Sequence, residues 1–92
     1  MTYRIDAARS RVRKQLKRIP KSDVVRIAKA VQALADNPLP PGAVQLEKDV
    51  YRIRVGNYRV IYKIVEDEKL VLIGRVARRN EGTYRGLRDL FH

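Results

Sequence analysis

The sequence has no cysteine and no tryptophan, and its only phenylalanine and only histidine are its last two residues. Without cysteine, the chain can form neither a disulfide nor a cysteine zinc site, and it has no thiol nucleophile. Because chain ends are usually poorly ordered, we expect the terminal histidine, His92, to have no chemical role. That expectation removes the commonest acid–base catalyst and the commonest metal ligand of proteins.

Acidic residues and long apolar stretches are also scarce. Only 10 residues are acidic, against 21 that are basic. Asp6, Asp23, Asp36 and Asp49 lack the spacing of metal ligands, and the sequence has neither a glycine-rich phosphate loop nor a Ser-His-Asp arrangement. It therefore predicts no metal and no cofactor. Since it shows no signal peptide and no membrane-length apolar run, it predicts a cytoplasmic protein that does not span a membrane.

The composition that remains is strongly basic. The formal net charge is +11 over 92 residues, and the isoelectric point is about 10.6. A chain of this length makes one small domain, residues 1–92, with a mainly aliphatic core. A positive charge of this size predicts a polyanionic partner: nucleic acid, an anionic membrane surface or an acidic protein.

The first half of the chain reads as a short strand followed by two helices. We predict a strand at Thr2–Asp6 and a helix at Ala8–Arg18, which Pro20 ends. A second helix is predicted at about Asp23–Asp36, with Ser22 as its N-cap. Both helices have an apolar face, so they should form a hairpin that packs on other elements.

The second half reads as strands. The predicted elements are a short extended piece at Val44–Glu47, strands at Val50–Val55, Tyr58–Val65 and Leu70–Ala77, and a helical turn within Thr83–Leu90. The order β-α-α-β-β-β-(α) predicts an α+β fold. In that fold, a small, twisted and mainly antiparallel sheet has the helical hairpin packed on one face, and the other face carries arginines.

Residues 51–62 are the most informative part of the chain. A Gly-Asn pair joins two alternating runs there, which is a strong signal for a β-hairpin with a two-residue loop. In that register, Arg54 faces Arg59, and Arg52 projects from the same face within about 7 Å. Because like charges this close destabilise a fold, the three arginines predict that an anion binds between them.

Basic residues also dominate the first helix, which carries no acid from residue 9 to residue 21. A solvated helix face usually mixes charges of both signs, so an all-basic run favours contact with a nucleic acid backbone. The predicted RNA-binding set is Arg9, Arg13, Lys14, Lys17, Arg18, Lys21 and Lys48.

A last basic cluster surrounds Tyr84. It consists of Arg75, Arg78, Arg79, Arg85 and Arg88. The tyrosine ring could pack on the sheet or stack on a nucleobase, and its hydroxyl could move a proton. Arginines can hold a phosphate and neutralise the charge that develops when a ribose 2′-hydroxyl attacks it, without a metal. Arginine stays protonated, so a general base has to be Tyr84, a carboxylate, or a lysine such as Lys48 or Lys63.

These features resemble the RelE/ParE toxin superfamily, and its RelE-like branch in particular, over nearly the whole chain. The resemblance lies in the first-helix segment Ala8–Pro20 and, more specifically, in the hairpin at residues 51–62. It implies a small sheet capped by two helices. It also implies a toxin that enters the ribosomal A site and cuts messenger RNA by metal-free attack of a 2′-oxygen, and a RelB-like antitoxin that keeps the toxin inactive.

The resemblance further implies the site residues. The basic positions of the family fall on Arg52 and Arg54 before the hairpin turn, on Arg59 after it, and on Arg78 or Arg79 at the end of the last strand, and its late tyrosine falls on Tyr84. Lysines are common at the first two positions, so a lysine base there does not carry over, and Arg52 would only stabilise charge. A ParE-like gyrase inhibitor without nuclease activity is the alternative, and an RNA-binding module without chemistry is a third interpretation. Paired basic residues and the late tyrosine favour the nuclease.

Overall fold

The computed structural model describes residues 2–8, 10–79 and 90–91. The strands are β1 (Arg4–Ala7), β2 (Val44–Glu47), β3 (Val50–Val55), β4 (Tyr58–Val65) and β5 (Leu70–Arg78), and the helices are α1 (Arg11–Lys17) and α2 (Lys21–Ala33). The five strands form one sheet in the order β1-β5-β4-β3-β2. All neighbours are antiparallel except β1, which runs parallel to β5. The predicted α+β fold is confirmed.

The hydrophobic core lies between the helices and one face of the sheet. Val60, Tyr62 and Val71 are fully buried on that face, beneath Val12 of α1 and Ile27 of α2. The alternation of the strands and the apolar stripes of the helices place these residues there, as predicted. The helices therefore do not cover the opposite face of the sheet.

The helices are shorter than the sequence predicts. The first helix begins at Arg11, and Arg9 lies outside the described residues. The second begins after Pro20, whose carbonyl accepts the backbone N–H groups of Asp23 and Val24, so the prediction of Ser22 as N-cap is wrong. Because proline fixes its own φ and its extended backbone ends the preceding turn, it marks this boundary better than the serine does.

A β-bulge in β5 decides which side chains share a face. Ile61 pairs with Arg75, but the next residue of β4 pairs with Ile73, so Gly74 is an extra residue in β5. A bulge shifts the alternation of every later residue to the other face. As a result, Arg75 lies on the face opposite the helices, and Arg78 at the end of the strand lies on the helix face, opposite Tyr58 in the ladder.

The face opposite the helices is partly covered by the end of the chain. Leu90 is fully buried there against Val50 and Ile61, and Phe91 packs beside it. A Cβ atom at Gly74 would lie 2.6 Å from the Phe91 ring, so the bulge glycine makes room for this contact. The rest of the predicted turn at Thr83–Leu90 lies outside the described residues. Within the described residues, no helix is long and apolar enough to cross a membrane.

Tyr62 ties the sheet to the loop that follows α2. Its hydroxyl donates a hydrogen bond of 2.7 Å to the Pro38 carbonyl. We expect Tyr62→Phe to lower the free energy of unfolding by about 1–2 kcal/mol, because a part-buried carbonyl then loses its donor. Burial, and the neighbouring Tyr51, raise the pKa of Tyr62 to about 12. The folded-state pKa of Tyr62 exceeds the ordinary value of a tyrosine. The stability that its protonated hydroxyl contributes is therefore fully present below pH 10 and is lost as the pH rises toward 12.

Urea denaturation at neutral pH measures this effect. Tyr51→Phe is the matched control: its ring stacks on that of Tyr62, with 6.0 Å between the centroids, but its hydroxyl makes no such bond to the described residues. An equal loss of stability in both variants would show that the bond to Pro38 contributes nothing specific.

Candidate functional site

Four arginines project from the sheet face opposite the helices. Arg54 lies opposite Arg59 in the β3–β4 ladder, and Arg52 lies opposite Ile61, as the hairpin predicted. On its other side, Ile61 pairs with Arg75. Arg54 and Arg59 form a pair without ladder hydrogen bonds, whose Cα atoms stand about 4.5 Å apart. We call Arg52, Arg54, Arg59 and Arg75 the arginine face.

Arg52 is the unusual member of the arginine face. The residue is 8% exposed, and its Nε atom is buried with no hydrogen-bond partner among the described residues. A guanidinium remains charged in any protein environment. Leaving a buried donor unsatisfied costs about 1–3 kcal/mol. Arg54, two residues along the strand, is exposed. A largely buried arginine beside an exposed one is a suitable place for an anion that enters from solvent.

The hairpin turn that carries these arginines is held against α2. Gly56 has a φ of +59°, and a Cβ atom built on it would lie 3.1 Å from the Arg26 guanidinium. Asp23 pairs with Arg26 at 4.0 Å and accepts a hydrogen bond of 3.2 Å from the Tyr58 hydroxyl. The helix therefore fixes one side of the turn.

The end of β5 fixes the other side. The backbone N–H of Arg79 donates to the Asn57 carbonyl at 2.9 Å. Arg54 and Arg59 form the next pair after Val55 and Tyr58, which flank the turn, so both contacts hold the backbone that carries them.

We expect Gly56→Ala to lower the free energy of unfolding by about 1–2 kcal/mol, because an L-residue is strained at positive φ. The new methyl group also displaces Arg26. The control is Asn57→Ala in the same turn, where φ is not positive, and it should change stability by less than about 0.5 kcal/mol. Thermal denaturation of both variants measures the difference, and equal stabilities would contradict the strain at Gly56.

The structure separates the predicted strand-end residues. Arg78 does not join the arginine face, since the bulge turns it toward the helices. It lines a small cavity of about 180 Å³ with Gln15 and Arg18 of the α1 region. Arg79 follows it at the hairpin turn and remains the predicted strand-end residue of the site. Tyr84 lies outside the described residues.

The predicted RNA-binding set is exposed wherever the structure describes it. Arg13, Lys14, Lys17, Arg18 and Lys21 lie along α1 and the start of α2, and Lys48 lies in the turn between β2 and β3. Asp23–Arg26 and Glu66–Lys69 are ion pairs of the described part of the chain, and none of these six residues takes part in them. The five residues of α1 and the start of α2 form a basic surface apart from the arginine face, which is suited to contacts with a nucleic acid backbone. Lys48 lies apart from them, in the turn of the edge strand β2.

Arg75 belongs to the arginine face, although its place in the sequence predicts that it lies in the basic cluster around Tyr84. The available signal was Gly74, since an isolated glycine within a strand pattern often marks a bulge. Lys63 also lies on this side of the sheet, opposite Val50. Among the residues that the structure describes, no group of three histidine, cysteine or acidic side chains is placed to hold a metal ion.

A groove of about 640 Å³ borders the arginine face at the edge of the sheet. Pairing of β2 with β3 stops at Val44, opposite Arg52, so the rest of β3 has an open edge. The lining residues are Ala30, Ala33, Pro40, Pro41, Gly42, Val44, Arg52, Ile53 and Arg54. One wall is therefore the small-residue side of α2, and the other is the loop before β2.

Known proteins share this architecture and sequence. A family model described as the ParE toxin of type II toxin–antitoxin systems, parDE, matches residues 6–82. RelE1 of Methanocaldococcus jannaschii, a protein named as a toxin, is 32% identical over 80 residues, which cover 82% of this chain and 88% of that protein. The chain belongs to the RelE/ParE family of toxins.

Solved structures agree with this assignment. A chain of the archaeal RelE–RelB complex from Pyrococcus horikoshii OT3 is 30% identical with a TM-score of 0.75, covering 88% of this toxin and 99% of that chain. A chain of the toxin–antitoxin complex RelBE2 from Mycobacterium tuberculosis has the same TM-score of 0.75 at 23% identity, covering 86% of this toxin and 93% of that chain. The predicted resemblance is confirmed, and the protein is the toxin of a RelBE-type toxin–antitoxin system.

Proposed function

We propose that the toxin is a ribosome-dependent endoribonuclease that cleaves messenger RNA in the ribosomal A site. The observation that carries this proposal is the arginine face, with a buried Arg52 whose Nε lacks a partner among the described residues. A phosphodiester would bind the outer nitrogens of this group, because guanidinium groups bind phosphate oxygens with paired, charge-assisted hydrogen bonds.

The arginines act on the phosphate that is cut. The ribose 2′-oxygen attacks phosphorus and forms a new P–O bond, while the bond to the 5′-oxygen breaks and that oxygen leaves with the electron pair. The products are a 2′,3′-cyclic phosphate and a 5′-hydroxyl end. Arg52, Arg54 and Arg59, with Arg79 at the end of the strand, stabilise the negative charge that increases on the phosphoryl oxygens.

Two protons have to move in this reaction. One leaves the 2′-hydroxyl, and one reaches the 5′-oxygen. Arginine is a poor base because it stays protonated. The candidates for these transfers are Tyr84, a carboxylate, Lys48, and Lys63, which lies on the same sheet face as the arginines. A site without a strong base gains from a partner that holds the 2′-oxygen in line with the leaving group, and the ribosome fills that role.

The basic surface of α1 and the antitoxin complete the proposal. We expect Arg13, Lys14, Lys17, Arg18 and Lys21 to contact ribosomal RNA, with Arg9 and Lys48 as further contacts. The relatives from Pyrococcus and Mycobacterium were solved as complexes with their antitoxins. A cognate, RelB-like antitoxin with an acidic or amphipathic segment should cover basic surface of this toxin, and the pair should co-purify at moderate salt. Failure to co-purify would count against this partner.

The test of the function is to express the toxin without its antitoxin and to map RNA ends in the arrested cells. The expected result is an arrest of translation with cuts inside codons that leave cyclic-phosphate ends. Intact messages in arrested cells would exclude the nuclease. Tyr84→Phe separates the roles of that residue, because it removes the hydroxyl and keeps a ring that can stack.

One observation favours a second function. The family model that matches the chain is described by the ParE toxin. A ParE-like toxin would bind and inhibit DNA gyrase without cutting RNA. Gyrase supercoiling in the presence of the purified toxin distinguishes the two, since the nuclease leaves it unaffected. The arginine face favours the nuclease, because converging guanidinium groups are suited to hold a phosphate and to stabilise the charge that develops on it.

A further inference from the structure

The groove meets the site of the proposed reaction at the open edge of β3. Arg52 and Arg54 belong both to the arginine face and to the lining of the groove. Their side chains project from the face opposite α2, whereas Ala30, Ala33 and Ile53 line the groove on the helix side. A nucleotide whose phosphate lies on the arginine face therefore reaches the groove around the edge of β3.

The backbone of Arg54 presents a donor and an acceptor at this mouth. Val55 and Tyr58 close a two-residue hairpin loop, so they form a hydrogen-bonded pair, and the pairs alternate from there. Ile53 consequently bonds to β4, and the N–H and C=O of Arg54 point away from β4 toward the open edge. No described strand lies beside these two groups, because the first residue of β2, Val44, pairs with Arg52 and β2 does not extend along β3 as far as Arg54.

We propose that the groove binds a nucleobase of the messenger RNA, next to the scissile phosphate, and that the Arg54 backbone reads its edge. This inference rests on the proposed nuclease function. Every nucleobase has a neighbouring donor and acceptor on its Watson–Crick edge, which can meet one N–H and one C=O of a strand. Bases differ in the order of the two groups and in ring size, so the groove would favour some bases over others.

The walls of the groove are suited to a flat ring. Ala30 and Ala33 of α2 carry only methyl groups, and Pro40 and Pro41 offer apolar rings, so a base can approach the strand closely. A volume of about 640 Å³ is ample for a nucleobase.

An added peptide strand fits this groove less well. Strand addition needs a row of unpaired backbone groups along an edge. Here only Arg54 points its N–H and C=O toward the open edge of β3, because β2 pairs with β3 from Arg52 onward. Pro40 and Pro41 opposite have no N–H to donate to a strand.

Backbone amide NMR of the whole toxin tests the proposal, because it reports binding even if no RNA is cut. The probes are the four ribonucleoside 3′-monophosphates and inorganic phosphate. The nucleotides should shift the amides of Arg54, Ala30 and Ala33, with at least a threefold difference in affinity among the bases. Phosphate alone should shift the arginine face and leave Ala30 and Ala33 unchanged.

Ala33→Leu fills the groove and should abolish the differences among the four nucleotides while phosphate still binds. Ala28→Leu is the matched control, since the same change on the same helix lies outside the groove lining, and it should preserve the differences. Nucleotide shifts identical to those of phosphate would overturn the base site and leave the proposed phosphate site intact. Shifts at Ala30 and Ala33 with an acidic extended peptide but with no nucleotide would assign the groove to a protein. Absence of any shift with every probe would contradict both the base site and the phosphate site.

Discussion

Replacing Arg52 with methionine should make the toxin more stable and inactive. Arg52 is largely buried, and its Nε atom has no partner in the described part of the chain, so an apolar side chain of similar length removes an unsatisfied donor and a partly desolvated charge. We expect the free energy of unfolding to rise by about 1–2 kcal/mol. Cleavage on programmed ribosomes should fall by about 10²–10³-fold, because one of the groups that stabilise the transition-state charge is lost.

The opposite signs of these two effects are the informative result. Arg54→Met is the control, since Arg54 is exposed on the same strand and face. It should also reduce cleavage, but its stability should stay within about 0.5 kcal/mol of the wild type. Urea denaturation at fixed salt gives both stabilities. A marked loss of stability in Arg52→Met would show that this arginine supports the fold and is not kept for an anion.

Alanine at position 59 should abolish toxicity and preserve the fold. Arg59 lies opposite Arg54 at the centre of the arginine face, so its loss removes a contact to the scissile phosphate. We expect cleavage to fall by about 10²–10³-fold with an unchanged circular dichroism spectrum. Growth arrest after induction and the mapped RNA ends measure the effect.

Arg78→Ala provides the comparison for Arg59→Ala. Both residues are arginines near the same hairpin turn, but Arg78 lies on the helix face. We expect Arg78→Ala to cut messenger RNA at close to the wild-type rate. Full toxicity of a folded Arg59→Ala variant, or equal losses in both variants, would contradict the assignment of the arginine face.

The hairpin and its three arginines could be predicted from the sequence because local rules decide them. A Gly-Asn turn fixes the register of β3 and β4, and alternation then places Arg52, Arg54 and Arg59 on one face. The buried residues of α2, such as Ile27 and Leu34, follow equally from their spacing. In both cases the pattern is repeated several times within one element, so tertiary contacts do not override it.

The sheet faces on which Arg75 and Arg78 lie could not be predicted in the same way. Without a bulge, alternation from Ile73 would put Arg78 on the arginine face and Arg75 on the helix face. One extra residue at Gly74 exchanges them. Whether a glycine in a strand forms a bulge depends on its partners, and here Phe91 from the end of the chain fills the space above it.

The burial of Arg52 and the groove are also tertiary properties. Arg52 and Arg54 are equivalent in the hairpin pattern, yet one is buried and the other is exposed. Two neighbours distinguish them. Val44 of β2 lies beside Arg52, and Ile61, which pairs with Arg52, is covered by Leu90 from the end of the chain. No strand of the described part lies beside Arg54. A short strand in a sequence does not reveal how far along its neighbour it extends.

A crystal structure of the toxin with a short RNA, methylated at the 2′-oxygen to prevent cleavage, tests the central claim most directly. A backbone phosphate should lie on the arginine face within hydrogen-bond distance of Arg52, Arg54 and Arg59. RNA bound only along the basic surface of α1, with no phosphate on the arginine face, would contradict it.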